Sequence, residues 1–447
     1  MKQSIIHNRR LARWAVAVAA ALLATLTACR DDDVVFIPET VPVSQPEYTS
    51  VSGFYLLNEG NMGSNKSTLD YYDYATGRYT RNIYANANPT VPKEMGDVGN
   101  DAGIYGSRLY CVINCSNKVE VMDRDNCRRI GQINIPNCRF IKFYGGYAYV
   151  TSYAGPVVID PNYKQRGYVA KVDTATLEVV DTCVVGFQPD QLDIAGGKIY
   201  VANSGGYMVP NYENTLSVID LATFKEEARI PIAINLLGVV ADRRGVLWVT
   251  SRGDYYSNPS DIYAYDTRKG RIVKRMDCRA SSCWMDGDSL YVVSSDWSYV
   301  TGGNAKPRYQ IINTLTMQVV DTCFIKDGTD GKIEKPYGVA VNPITKDIMV
   351  TDAKDYVSPG RLYCFGPDGQ MKWNVRTGDI PAHFVFLGRN ENEHYQQKKR
   401  KNYSIEKIFF SPPQRCCWPQ PEWRMPTTAH TWPRFMTSSQ PPGSLST

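Results

Sequence analysis

The chain has 447 residues, of which 43% are hydrophobic and 11% aromatic, and a formal charge of +5. That charge belongs to the ends: with four basic residues of 1–28 and nine basic and four acidic residues of 389–447 set aside, 37 Lys/Arg face 41 Asp/Glu. The mildly acidic remainder offers no electrostatic case for binding nucleic acid or an anionic membrane surface.

In chain order, residues 1–28 read as a targeting segment. Arg9, Arg10 and Arg13 precede an apolar run from Trp14 to Thr27, too short to span a bilayer comfortably. Leu26-Thr27-Ala28-Cys29 resembles the bacterial lipobox, which implies acylation of Cys29; an ordinary signal peptide is the alternative. The acidic cluster Arg30-Asp31-Asp32-Asp33 resembles the surface-export signal of Bacteroidetes lipoproteins, or starts a solvated linker. Residues 29–52 are expected to form a tether, extended by Pro38, Pro42 and Pro46.

Residues 53–388 carry an internal repeat. A short apolar strand recurs seven times: Phe54-Tyr55-Leu56, Leu109-Tyr110-Cys111, Ala148-Tyr149-Val150, Ile199-Tyr200-Val201, Leu247-Trp248-Val249, Leu290-Tyr291-Val292 and Ile348-Met349-Val350. Each is followed by an alternating strand that ends in a turn residue: Asp73, Asp123, Asp173, Asp220, Asp266, Asn313 or Gly366. An Asp there accepts backbone N–H groups two residues on and fixes a hairpin. The expectation is an all-β, seven-bladed β-propeller with about 48 residues per four-stranded blade; two packed sandwiches are the alternative. Blade one lacks a strand before Phe54, and Ala382–Phe386 is spare. Pairing the two closes the ring as a clasp of both termini and leaves no open edge.

Nine cysteines fall between residues 30 and 388, an odd number without any CxxC, and are expected to be buried small hydrophobes. Residues 389–447, with Lys398-Lys399-Arg400-Lys401, three tryptophans and eight prolines, show no strand alternation. They are expected to be disordered or a non-native end.

The long loops after the second strand of each blade belong to one face. They carry Asn58, Glu59, Asn203, Ser204, Tyr207, Arg252, Asp254, Tyr255, Asp296, Trp297, Tyr299, Asp352, Lys354 and Tyr356, with Asn114 at the equivalent place in blade two. Tyr207, Tyr255 and Tyr356 each lie six residues beyond the strand's valine. A ring of aromatics and amides at one level can grip a large, flat, partly apolar ligand, or can pack loop against loop. No catalytic site is expected: His383 is the one histidine between residues 29 and 388 and reads as structural, and no GxSxG, Walker loop or HExxH occurs. No metal site is expected either, although Glu59, Asn114, Asn203 and Asp352 have the oxygen donors that Ca²⁺ takes in lactonase-like propellers.

The repeat resembles the YncE-like seven-bladed propellers. With the lipobox and acidic cluster, the segments Asn58-Glu59-Gly60-Asn61-Met62-Gly63, Gly96-Asp97-Val98-Gly99-Asn100-Asp101, Val201-Ala202-Asn203-Ser204-Gly205-Gly206-Tyr207, Arg252-Gly253-Asp254-Tyr255-Tyr256 and Thr351-Asp352-Ala353-Lys354-Asp355-Tyr356 resemble the BtuG-type surface cobalamin-binding lipoproteins of Bacteroidetes. The resemblance implies a non-enzymatic outer-membrane lipoprotein at the cell surface. It would take up cobalamin (vitamin B12) or another corrinoid as transported ligand, not cofactor, and pass it to a TonB-dependent transporter. Its membrane contact is the lipid alone, with a periplasm-facing anchor as second choice. Arg252 or Lys354 would meet the ligand's phosphate. A Ca²⁺-dependent lactonase-like hydrolase and a propeller docking a protein or glycan are the alternatives.

Overall fold

The structure is a computed structural model that describes residues 39–389 apart from 296, 300–302 and 305, with backbone alone at 297, 298, 303 and 304. The targeting segment, Cys29, the acidic cluster, Asp296, the Trp297 side chain and residues 390–447 lie outside the described residues.

Seven antiparallel sheets make seven blades. Alternating apolar residues and aspartate-closed hairpins explain their strands. Asp73, Asp123, Asp173 and Asp266 each accept the amide two residues on, from Ala75, Asp125, Ala175 and Arg268, and Asn313 does the same for Leu315. Asp220 takes the amide of Thr223, three residues on. In blade seven the role passes from Gly366 to Asp368, which accepts from Gln370.

The second strands carry the recurrent apolar triplet and are buried throughout the ring. Leu56, Cys111, Val150, Ile199, Leu247, Leu290 and Met349 are sealed from water and pack in the clusters between neighbouring sheets. All nine described cysteines are free thiols. Burial lifts Cys127 and Cys138 to about 12, so they stay protonated and act as small apolar groups.

The clasp forms as the spare strand requires. Pro381–Gly388 pairs with Val51–Asn58, placing Phe386 opposite Phe54, Val385 opposite Tyr55 and Phe384 opposite Leu56. One feature of blade one departs from the expected tether: Thr40–Pro42 adds a fifth, outermost strand against Arg78–Thr80. The chain has thus begun to fold onto the blade ten residues before Ser50. Among the described residues no helix is long and apolar enough to cross a membrane.

The seven innermost strands ring a central channel: Gly99–Tyr105, Cys138–Tyr144, Pro189–Ala195, Leu236–Ala241, Ser282–Asp286, Pro336–Val341 and Pro381–Gly388. Side chains bridge neighbouring inner strands, because these converge without sharing a ladder. Asp101 accepts the amide of Ile141, Gln191 that of Val239, and Asp193 that of Ala241.

Six of these strands begin with a β-bulge, where ladder register to the second strand shifts: at Asn100, Arg139–Phe140, Asp190–Gln191, Leu237, Tyr337–Gly338 and Ala382. In three blades a second-strand threonine closes the gap. Thr151 Oγ1 accepts from Phe140 N, Thr250 Oγ1 from Gly238 N and Thr351 Oγ1 from Gly338 N. A bulge bends the strand and re-aims its side chains, and here it turns them to the channel.

Candidate functional site

The bulges and the loops after the second strands enclose an open cavity of about 1020 Å³ at the centre of the ring. Two of the loops share one construction. Gly253 and Lys354, each four residues past the strand's valine, are left-handed (φ 67° and 49°) and turn the chain sharply. At Gly253 a side chain has no room, since a Cβ would lie 2.0 Å from the carbonyl oxygen of Asn258. The next residue is an aspartate whose carboxylate gathers the loop's amides. Asp254 accepts from Tyr256 and Asn258, and Asp355 from Val357 and Ser358. The amides of Ser358 and Val357 hold Asp355 below the usual carboxylate range. Tyr255 and Tyr356 then follow, again left-handed (φ 64° and 65°), and both line the cavity. Tyr256, also lining, stacks on Tyr299 of the next blade with centroids 4.7 Å apart and planes 12° apart.

The cavity wall has two polar arcs. On blades one, two and seven, Glu59 bridges Tyr337 and His383: its Oε2 accepts from the Tyr337 hydroxyl at 2.9 Å and its Oε1 lies 3.0 Å from His383 Nε2. Desolvation and then the Glu59 charge push the Tyr337 phenol well above its ordinary range. Asp101 stands on the same arc. Desolvation raises its carboxyl, while the nearby His383 pulls it down.

On blades three to five, fully buried Asp190 takes Arg139 Nε at 3.0 Å, Arg252 Nη1 at 2.7 Å and the Tyr153 hydroxyl at 2.8 Å. Desolvation opposes ionisation of Asp190, but Arg252 and Arg139 outweigh it and leave the carboxyl below its ordinary value. Arg139 also lies over the Tyr153 ring at 4.9 Å.

A family model described as a domain of unknown function (DUF5074) matches residues 52–363. The chain belongs to that family. The DUF5074 match runs from the clasp strand of blade one into the third strand of blade seven, and so covers both loops and the whole arginine arc. No curated protein matches. Three solved structures are similar to the chain. A hydrazine synthase of Kuenenia stuttgartiensis is 19% identical, with 60% of this chain and 77% of that chain covered and a TM-score of 0.47. A quinonprotein alcohol dehydrogenase-like protein of Bacteroides thetaiotaomicron is 13% identical, with 76% and 79% covered and a TM-score of 0.49. A computationally designed protein is 9% identical, with 76% and 92% covered and a TM-score of 0.47. At these identities the neighbours say nothing of a ligand.

Of the residues singled out by sequence, the DUF5074 fold brings Glu59, Arg252, Tyr255 and Tyr356 to the cavity. Five others are spent inside the blades. Asn58 donates to Thr68 Oγ1 (3.1 Å), Asn114 to the carbonyl of Cys138 (2.8 Å), Asn203 to Ser217 Oγ (2.9 Å) and Ser204 to the carbonyl of Gln188 (2.7 Å). Asp352 accepts the amides of Lys335, Lys354 and Glu334. Tyr207, Asp254, Tyr299 and Lys354 do not line the cavity; Tyr207 instead meets the Tyr153 ring edge-on at 6.4 Å. The four oxygen donors considered for Ca²⁺ are therefore not gathered, and among the described residues no cluster of three or more His, Cys, Asp or Glu has metal-binding geometry. His383, read as structural, faces the cavity with Glu59. Arg139, Phe140, Tyr337 and Asp101 were missed because they sit on inner strands, where a bulge breaks the alternation that sequence reading follows.

Proposed function

We propose that this propeller is a non-enzymatic surface lipoprotein that captures cobalamin or a related corrinoid in its central cavity and passes it to a TonB-dependent outer-membrane transporter, tethered through a lipid on Cys29. The observation that carries the reading is the cavity itself. Its volume of about 1020 Å³ stands at the top of the ~300–1,000 Å³ typical of small-molecule sites, so it suits a ligand larger than most metabolites. Tyr255, Tyr256, Tyr337 and Tyr356 line it. Rigid phenols offer apolar faces and polar tips together, which is what a wide ring edged with amides asks for. The loop face also exposes Met62, Val158, Ile159, Tyr299 and Val357. Titration of the purified protein with cyanocobalamin in a calorimeter tests the reading. Tight 1:1 binding is expected; no binding of any corrinoid at micromolar protein would end it.

A hydrolase is the second reading, and one observation favours it. The Tyr337–Glu59–His383 chain resembles the carboxylate-oriented imidazole of an acid–base site. Ester or lactone turnover that disappears in E59Q would support it, and absence of turnover would remove it.

A further inference from the structure

We propose that the Arg139–Asp190–Arg252 cluster is an anion subsite of the cavity that takes one phosphodiester group of the bound ligand. The proposal rests on the corrinoid reading for the identity of the ligand, and on the following geometry for the subsite.

Two guanidiniums share one carboxylate. Asp190 has no exposed side-chain surface, whereas the Arg139 and Arg252 side chains are 15% and 24% exposed. The cluster therefore holds one uncompensated positive charge, and its water-accessible part is cationic. The other acids of the cavity wall are committed elsewhere. Glu59 holds Tyr337 and His383, and Asp101 accepts the amides of Ile141 and Ala102.

The guanidiniums are also held in place. Arg139 is fixed by its Nε bond to Asp190 and by the face of Tyr153. Arg252 is fixed by Asp190 and by the Leu236 carbonyl, both through Nη1. This leaves Nη1 and Nη2 of Arg139, and Nε and Nη2 of Arg252, without a protein acceptor; none of the four is a buried unsatisfied atom, and both residues line the cavity. Open donors on pre-oriented forks beside a buried charge are the arrangement that binds planar or tetrahedral oxyanions.

A singly charged group balances the cluster at two positive and two negative charges. A phosphodiester carries one charge and two unesterified oxygens; a phosphomonoester would bring a second negative charge for which the cluster has no partner. Lys354, the other cation considered for a phosphate, does not line the cavity.

The test compares cyanocobalamin with dicyanocobinamide, which lacks the nucleotide and its phosphodiester, by calorimetry on the purified protein and on R139Q and R252Q. Wild type is expected to bind cobalamin at least tenfold tighter. Each variant should lose that preference while keeping its cobinamide affinity, which also shows that it is folded. Unchanged preference in both variants, or equal loss of both corrinoids in folded protein, would overturn the subsite and leave the cluster as a staple between blades. If wild type binds neither corrinoid, the corrinoid reading fails, and the subsite is read with dimethyl phosphate by ³¹P line broadening. Broadening that disappears in R139Q and R252Q supports the subsite; no broadening in wild type overturns it.

Discussion

The two arcs of the cavity wall use charge in opposite ways. On blades one, two and seven the polar groups close on each other: both oxygens of Glu59 are occupied, by Tyr337 and His383. On blades three to five the buried acid is outnumbered, and guanidinium donors are left facing the cavity. A self-satisfied network rigidifies its surroundings; an unbalanced one is poised for a ligand. On the proposed reading the first arc gives the cavity its shape and the second recognises the ligand.

The largest expected effect comes from the buried acid. Asp190→Ala should lower stability by about 3 kcal/mol, since breaking a buried pair leaves the partner charges uncompensated. Urea denaturation measures it, and a loss below about 1 kcal/mol would mean that water already screens the cluster. Next is binding at the rim. Replacing Tyr255 and Tyr356 together by Ala should weaken cobalamin binding about thirtyfold, near 2 kcal/mol, with little change in melting temperature, because both side chains stand on loops. An unchanged Kd would place the ligand elsewhere.

Smaller is the Glu59 arc. Tyr337→Phe should cost about 1–2 kcal/mol of stability for one lost bond to a carboxylate. It should leave the preference of cobalamin over cobinamide intact; a loss of that preference would merge the two arcs.

Smallest within the neutral range is the pH effect. The folded-state pKa of Asp190 is depressed, so its stabilisation is fully present above the unfolded value of about 3.9 and is lost as pH falls through the folded value. The stability difference between wild type and D190N should stay level from pH 7 to 5 and shrink only below about pH 3.9. Shrinkage already at pH 6 would show that Asp190 is not held by the arginines.

How much was legible in the sequence follows the same division. The blades were readable because burial on both faces writes a recurring apolar triplet, and because hairpins need an Asp or Asn at one place; Asp73 to Asn313 behave accordingly. The clasp was readable from a missing strand and a spare one. The rim was half readable. Tyr255 and Tyr356 reach the cavity because a left-handed residue and an aspartate precede each of them, whereas Tyr207 follows a glycine pair and packs on Tyr153 instead. The amides Asn58, Asn114 and Asn203 looked like ligand donors but satisfy buried groups, a distinction that depends on neighbours across the sheet. The wall itself was not readable. Arg139 and Tyr337 reach the channel from bulges, and Asp190, buried behind the arginines, also sits at one; a bulge is an exception to the period-two pattern. One trace of it was present: Val150-Thr151, Val249-Thr250 and Val350-Thr351 repeat the threonine that closes the gap.

The most direct test of a central ligand cavity is the structure of the protein crystallised with cyanocobalamin. The corrin ring is expected at the cavity mouth against Tyr255 and Tyr356, with its phosphodiester within hydrogen-bond distance of Arg139 or Arg252. A corrinoid bound on the outer strands or between blades, with the cavity empty, would contradict it.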